Sequence, residues 1–172
     1  TFMLAESNNS RSRRTASPCW HYHSCTTLGT AGALKYLDGQ LEQSFFVSNC
    51  DIIVYTNYSS ICEFHTDQNY DLTIVGSMKN YTIPYGVCKT DSAGMLIEMS
   101  EKPEYDFLVN TGLYLMEPSI LKFIPQETYF DMTDLIREAR LNGFKIGVFP
   151  VSEKSWIDVG QWAEYQLAEK RL

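Results

Sequence analysis

The stretch from Tyr85 to Gly112, YGVCKTDSAGMLIEMSEKPEYDFLVNTG, constrains this chain most. It alternates well enough for two strands around a turn at Asp91-Ser92-Ala93-Gly94. Glu101-Lys102-Pro103 follows, and Asn110-Thr111-Gly112 comes seven residues after Pro103. An acid, an ammonium and an amide near strand ends suit a phosphorylated sugar. The carboxylate and the amide can bond hydroxyls, and the lysine meets a phosphate as a compact point charge. The plainer reading is a strand followed by a solvated turn, so the rest of the chain has to decide.

A chain of 172 residues is expected to form one domain. At that length it can bury roughly 70% of its unfolded surface. Apolar residues at 44% and charged residues at 20% are ordinary globular usage. A net charge of −7 argues against nucleic acid or an anionic membrane as the main partner, while leaving room for a local phosphate site. No apolar run approaches the ~20 residues that span a bilayer, and the first residues lack the order of a signal peptide. Cys19, Cys25, Cys50, Cys62 and Cys88 are odd in number and scattered. A disulfide framework is therefore not expected, and a cytoplasmic location fits better. There is no internal repeat.

Residues 1–25 read as an irregular or disordered leader. Their core, Ser7-Asn8-Asn9-Ser10-Arg11-Ser12-Arg13-Arg14-Thr15, is polar and without periodicity. Cys19, His21, His23 and Cys25 alternate, and thiolate and imidazole are zinc ligands. On an extended strand the two cysteines would lie about 20 Å apart, too far for one ion to take all four.

From Thr26 the pattern becomes regular. Leu28-Gly29-Thr30-Ala31-Gly32-Ala33-Leu34 looks like a Gly-rich turn opening a short helix that ends at Asp38-Gly39. Such a turn exposes backbone N–H groups, although simple packing of small residues would explain it too. Phe45-Phe46-Val47-Ser48-Asn49 reads as a buried strand and is followed by Cys50-Asp51. A carboxylate at the end of a buried strand is where an open α/β sheet places ligand chemistry, and Asp51 could hold Mg²⁺ through oxygen. Residues 58–68 have helical spacing, with His65 expected at a surface position. Residues 71–76 read as the next strand. After Gly112 the strand continues through Met116, and Pro118 opens a short helical segment. Asp131 is expected to cap a helix running to Asn142, with Met132, Leu135, Ile136 and Ala139 facing the core. A strand over 145–151 precedes Trp156-Ile157-Asp158-Val159-Gly160, and a last helix is expected over about 161–170. Asp158 is the second carboxylate that could face a ligand.

Taken in order, these segments resemble the sugar nucleotidyltransferase family, which makes nucleotide sugars from a nucleoside triphosphate and a sugar 1-phosphate. The residues that carry the resemblance are Leu28 to Leu34, Asn49-Cys50-Asp51, Tyr85-Gly86, Glu101-Lys102-Pro103, Asn110-Thr111-Gly112 and Trp156 to Gly160. The likeness covers residues 26–172 and is strongest to the bacterial mannose-1-phosphate guanylyltransferase-like branch. It implies a three-layer α/β/α sandwich with a mixed, mainly parallel sheet of Rossmann-like type. It also implies that Gly29, Thr30 and Ala31 line the nucleotide base, and that Asp51 and Asp158 hold Mg²⁺. Glu101 would bond sugar hydroxyls and Lys102 the sugar phosphate. Gly86, Asn110 and Thr111 would complete the substrate site, with Asp51, Lys102 and Asp158 as the catalytic set. GTP is the favoured donor.

The family's Gly-rich triphosphate loop, first strand and first helices have no counterpart here. The implied fold therefore lacks its N-terminal part, and residues 7–25 are expected to come from a truncated or frame-shifted gene. Without that loop the chain alone is expected to be inactive, and an open sheet edge would favour a homodimer. Two other readings stand beside this one. One is a non-catalytic subunit that binds a sugar nucleotide. The other is a glycosyltransferase of similar fold, whose Asp-x-Asp motif is not matched by Asn49-Cys50-Asp51.

Overall fold

The computed structural model describes the backbone of residues 2–6, 20–21 and 28–160, with side chains from 28 to 160. The Cys19–Cys25 ligand set and the helix expected over 161–170 lie outside the described side chains.

Ten strands are described, in chain order β1 Phe2–Glu6, β2 Trp20–His21, β3 Phe45–Asn49, β4 Ile52–Val54, β5 Leu72–Thr82, β6 Val87–Thr90, β7 Leu96–Ser100, β8 Glu104–Met116, β9 Ile146–Val151 and β10 Trp156–Asp158. Helix α1 spans Tyr58–Asp67 and α2 spans Met132–Leu141. The segments at Gly32–Leu37 and Pro118–Phe123 are helical as expected, but wound as tighter 3-10 turns.

The main sheet runs β2-β1-β3-β8-β5-β9. It is mixed, yet "mainly parallel" needs correction. Strands β3, β5 and β9 share a direction, but β8 lies between β3 and β5 and opposes both. Among the described residues, β5 and β9 are therefore the one parallel neighbouring pair. The leader also differs from expectation at its ends. Phe2–Glu6 pairs antiparallel with all five residues of β3, and Trp20–His21 pairs with β1. The unpaired N–H and C=O groups of β3 attract an added strand, and β1 supplies it. The edge whose exposure would have favoured a dimer is thus covered.

Side chains alternate across the sheet, and each face has its own core. On one face Phe45, Val47, Leu72, Tyr114 and Met116 pack with Ile120, Leu121, Met132, Leu135 and Ala139. On the other, Phe46, Val75, Leu113 and Leu115 pack with Ile61 and Val151. Helical layers on both sides give the three-layer α/β/α arrangement. Among the described residues, no helix is long and apolar enough to cross a membrane.

His65 is not on the surface. It is only 2% exposed, on the same stripe as Ile61 one turn earlier. Its Nδ1 lies 2.8 Å from Thr73 Oγ1 and its Nε2 3.1 Å from Glu117 Oε1, so partners on β5 and just beyond β8 satisfy the buried ring. Strand β5 runs six residues past the expected end at Gly76. It continues with β8 as a two-stranded ribbon after an irregularity between Ile74 and Gly76.

Candidate functional site

The short strands β4 and β10 pair antiparallel, with Ile52 opposite Asp158. Val159 N–H donates to Asp51 O at 2.9 Å, so the two aspartates sit at the same end of this pair. Their carboxylates converge on Gly160. A methyl group placed there would meet Asp51 Oδ2 at 3.0 Å and Asp158 Oδ1 at 3.1 Å, which puts the two oxygens within about 6 Å of each other. Gly160 N–H donates to Asp158 Oδ1 at 3.0 Å and fixes that carboxylate.

Both aspartates line an open cleft of about 260 Å³ that also takes in Asn49, Asn110, Thr111, Tyr114 and Trp156. Of the residues expected from sequence, Asp51, Asp158, Asn110 and Thr111 are brought together here. The floor is a kink in β8. Gly112 has φ +88°, a left-handed conformation that a side chain would strain. Thr111 is 2% exposed, and its hydroxyl donates to Val75 O at 2.8 Å. That hydrogen bond ties β8 to β5. The Asn110 amide is also engaged: Oδ1 accepts from Gly112 N–H at 3.0 Å, and Nδ2 donates to Tyr114 Oη at 2.6 Å. Burial pushes the Tyr114 phenol above its ordinary value, and the bond from Asn110 opposes that shift.

The Gly29-Thr30-Ala31 turn does not line this cleft. It is fastened to the start of α2. Ala31 and Gly32 N–H both donate to Phe130 O, at 2.9 and 3.0 Å. Thr30 N–H and Oγ1 donate to Asp131 Oδ1 at 2.9 and 3.1 Å, and Met132 N–H donates to Thr30 Oγ1 at 2.8 Å. The backbone bond from Thr30 is the main reason the Asp131 carboxyl is held below its usual range. Ala31 is fully buried.

Gly86, Glu101 and Lys102 form a separate group at the far end of the ribbon. A methyl on Gly86 would meet Glu101 Oε2 at 3.0 Å, and Lys102 N–H donates to Tyr85 O at 3.3 Å. Strand β8 pairs without a break from Glu104 to Asn110, about 20 Å along the strand. These residues therefore stand outside the cleft, and Asn110 lies at a kink inside β8 instead of at a strand end.

Five lining residues were not expected as site residues: Asn49, Ile52, Gly112, Tyr114 and Trp156. Asn49 and Trp156 each stand two residues before an aspartate of the pair, which was the available signal. Tyr114 read simply as strand. Among the described residues, no group of three or more His, Cys, Asp or Glu side chains could hold a metal. A cation here would rest on the two aspartates, with water and ligand oxygens filling its other positions. That is the coordination Mg²⁺ favours.

The family model described as nucleotidyl transferase matches residues 8–172, starting within the segment read as leader. A mannose-1-phosphate guanyltransferase of Emericella nidulans is 32% identical over 149 residues, covering 78% of this chain and 38% of its own length. Mannose-1-phosphate guanylyltransferase 1 of Arabidopsis thaliana is 32% identical over 147 residues, covering 80% and 40%. This chain thus spans well under half the length of these curated relatives. Among solved structures, HddC from Yersinia pseudotuberculosis superposes with a TM-score of 0.59 at 24% identity, covering 86% of this chain and 64% of that one. That likeness supports the α/β fold.

Proposed function

Because this chain belongs to the nucleotidyl transferase family, we propose that it serves transfer of a nucleoside monophosphate from a nucleoside triphosphate, GTP by preference, to a sugar 1-phosphate. Pyrophosphate would be released, and the product would be a nucleotide sugar. The observation that carries this reading is the convergence of Asp51 and Asp158 on Gly160 beside a polar cleft. The curated relatives named above act on mannose 1-phosphate, which makes it the first acceptor to test.

The reaction needs alignment and charge neutralisation more than covalent help. Asp51 and Asp158 would hold Mg²⁺, which, when bound, neutralises phosphate charge during in-line displacement. Glu101, with Gly86 against it, and Lys102 stand about 20 Å along β8 from the cleft, so the sugar hydroxyl and phosphate contacts expected of them are not assigned to an acceptor held in the cleft. The turn at Gly29, Thr30 and Ala31 shapes the base side through its backbone, since the Thr30 side chain is committed to Asp131. Asn110 and Thr111 shape the cleft by holding the β8 kink.

Calorimetric titration with mannose 1-phosphate, with and without Mg²⁺, tests the reading. Mg²⁺-dependent binding that weakens in Asp158→Asn supports it. Binding of no sugar 1-phosphate under either condition contradicts it.

A further inference from the structure

Asn49 and Asn110 face the same cleft but differ in what their amides do. Both ends of the Asn110 amide are held inside the protein, by Gly112 N–H and by Tyr114 Oη. The side chain of Asn49 has no hydrogen-bond partner among the described residues, and only its main-chain oxygen accepts, from Ser48 Oγ at 3.0 Å. It is half-buried at the carboxyl end of β3, two residues before Asp51. Its Nδ2 would lie 2.6 Å from a methyl on Gly112, so the amide rests on the β8 kink and leaves room only for glycine beneath it. A polar group held at the wall of an open cleft, with its donors unspent among the described residues, is available to a ligand.

We infer that Asn49 is a substrate-binding residue of this cleft, donating its amide N–H to a phosphate oxygen of the sugar phosphate, while Asn110 is a positioning residue that holds the kink on which Asn49 rests. The inference rests on the reading that the cleft takes a sugar 1-phosphate. Asn49 is suited to that task because it is neutral. Beside two carboxylates, an amide adds a donor without adding repulsion to an incoming phosphate.

The test titrates mannose 1-phosphate, free mannose and Mg²⁺ separately into the 172-residue chain and its variants, each checked by thermal melting. Asn49→Ala is expected to weaken mannose 1-phosphate about three- to tenfold, leaving Mg²⁺ affinity and the melting temperature unchanged. Asn49→Asp, which keeps the shape but replaces the donor with a charge, is expected to weaken it further, and it carries the test if the alanine variant folds poorly. Asn110→Ala is expected to lower the melting temperature as well as the affinity. If wild type binds mannose 1-phosphate and Asn49→Ala and Asn49→Asp bind it equally well, the role of Asn49 is overturned and the sugar phosphate reading stands. If wild type binds none, the reading and this inference fall together.

Discussion

Asp51 Oδ2 and Asp158 Oδ1 approach the same point, 3.0 and 3.1 Å from where a methyl on Gly160 would sit. The two residues are far apart in the chain, and only the pairing of β4 with β10 brings them together. A methyl at that point would push both oxygens outward by a few tenths of an ångström. Gly160→Ala is therefore expected to weaken Mg²⁺ binding by about tenfold, with little loss of stability, as read by calorimetry and thermal melting.

The β8 kink should be the costliest place in the cleft to alter. Gly112→Ala must adopt φ near +88° and also displace Asn49 Nδ2, 2.6 Å from the new methyl. The left-handed backbone alone costs about 1–2 kcal/mol, and the contact adds to it. Urea denaturation should show the loss. Adding Asn49→Ala to Gly112→Ala should recover only the part due to the contact.

The buried histidine gives a stability prediction. His65→Leu leaves the Thr73 hydroxyl, on a fully buried residue, without its ring partner, at a cost of about 1–3 kcal/mol. The same network has a pH dependence. The hydrogen bond from His65, followed by the one from Ser44, holds the Glu117 carboxyl below its usual range. A carboxyl whose value is depressed on folding contributes stability that is present above its unfolded value and is lost as pH falls through the folded value. Melting temperature should thus fall as pH drops below the ordinary glutamate range near 4.5, and Glu117→Gln should flatten that fall. Asp131, also depressed, contributes in the same direction. A pH series of melts from wild type and Glu117→Gln checks this.

The clasp between Thr30 and Asp131 joins residues 101 positions apart. Thr30→Val removes the hydroxyl that both donates to Asp131 and accepts from Met132 N–H. A loss of about 0.5–1.5 kcal/mol is expected. Thr30→Ser should restore most of it, measured by urea midpoint.

Much of this architecture was legible in the sequence. The apolar runs gave β3 and β8, the stripe of Met132, Leu135 and Ala139 gave α2, and Asp91 to Gly94 gave the β6–β7 turn. What could not be read depends on partners distant in the chain. His65 looked solvent-facing because Thr73 and Glu117, which satisfy its ring, lie eight and 52 residues away. The direction of β8 between β3 and β5 is a pairing choice, and no periodicity encodes it. The motif order named Asp51 and Asp158 together, through resemblance. It could not show that the Asn110 amide is spent internally while that of Asn49 has no partner among the described residues.

The most direct measurement is titration of GDP-mannose into this chain with Mg²⁺, repeated on Asp51→Asn and Asp158→Asn. The account expects Mg²⁺-dependent binding in wild type and a loss of about tenfold or more in each variant, with folded, cooperatively melting protein throughout. Binding that neither variant weakens, or that ignores Mg²⁺, would contradict the claim that this carboxylate pair is the centre of the site.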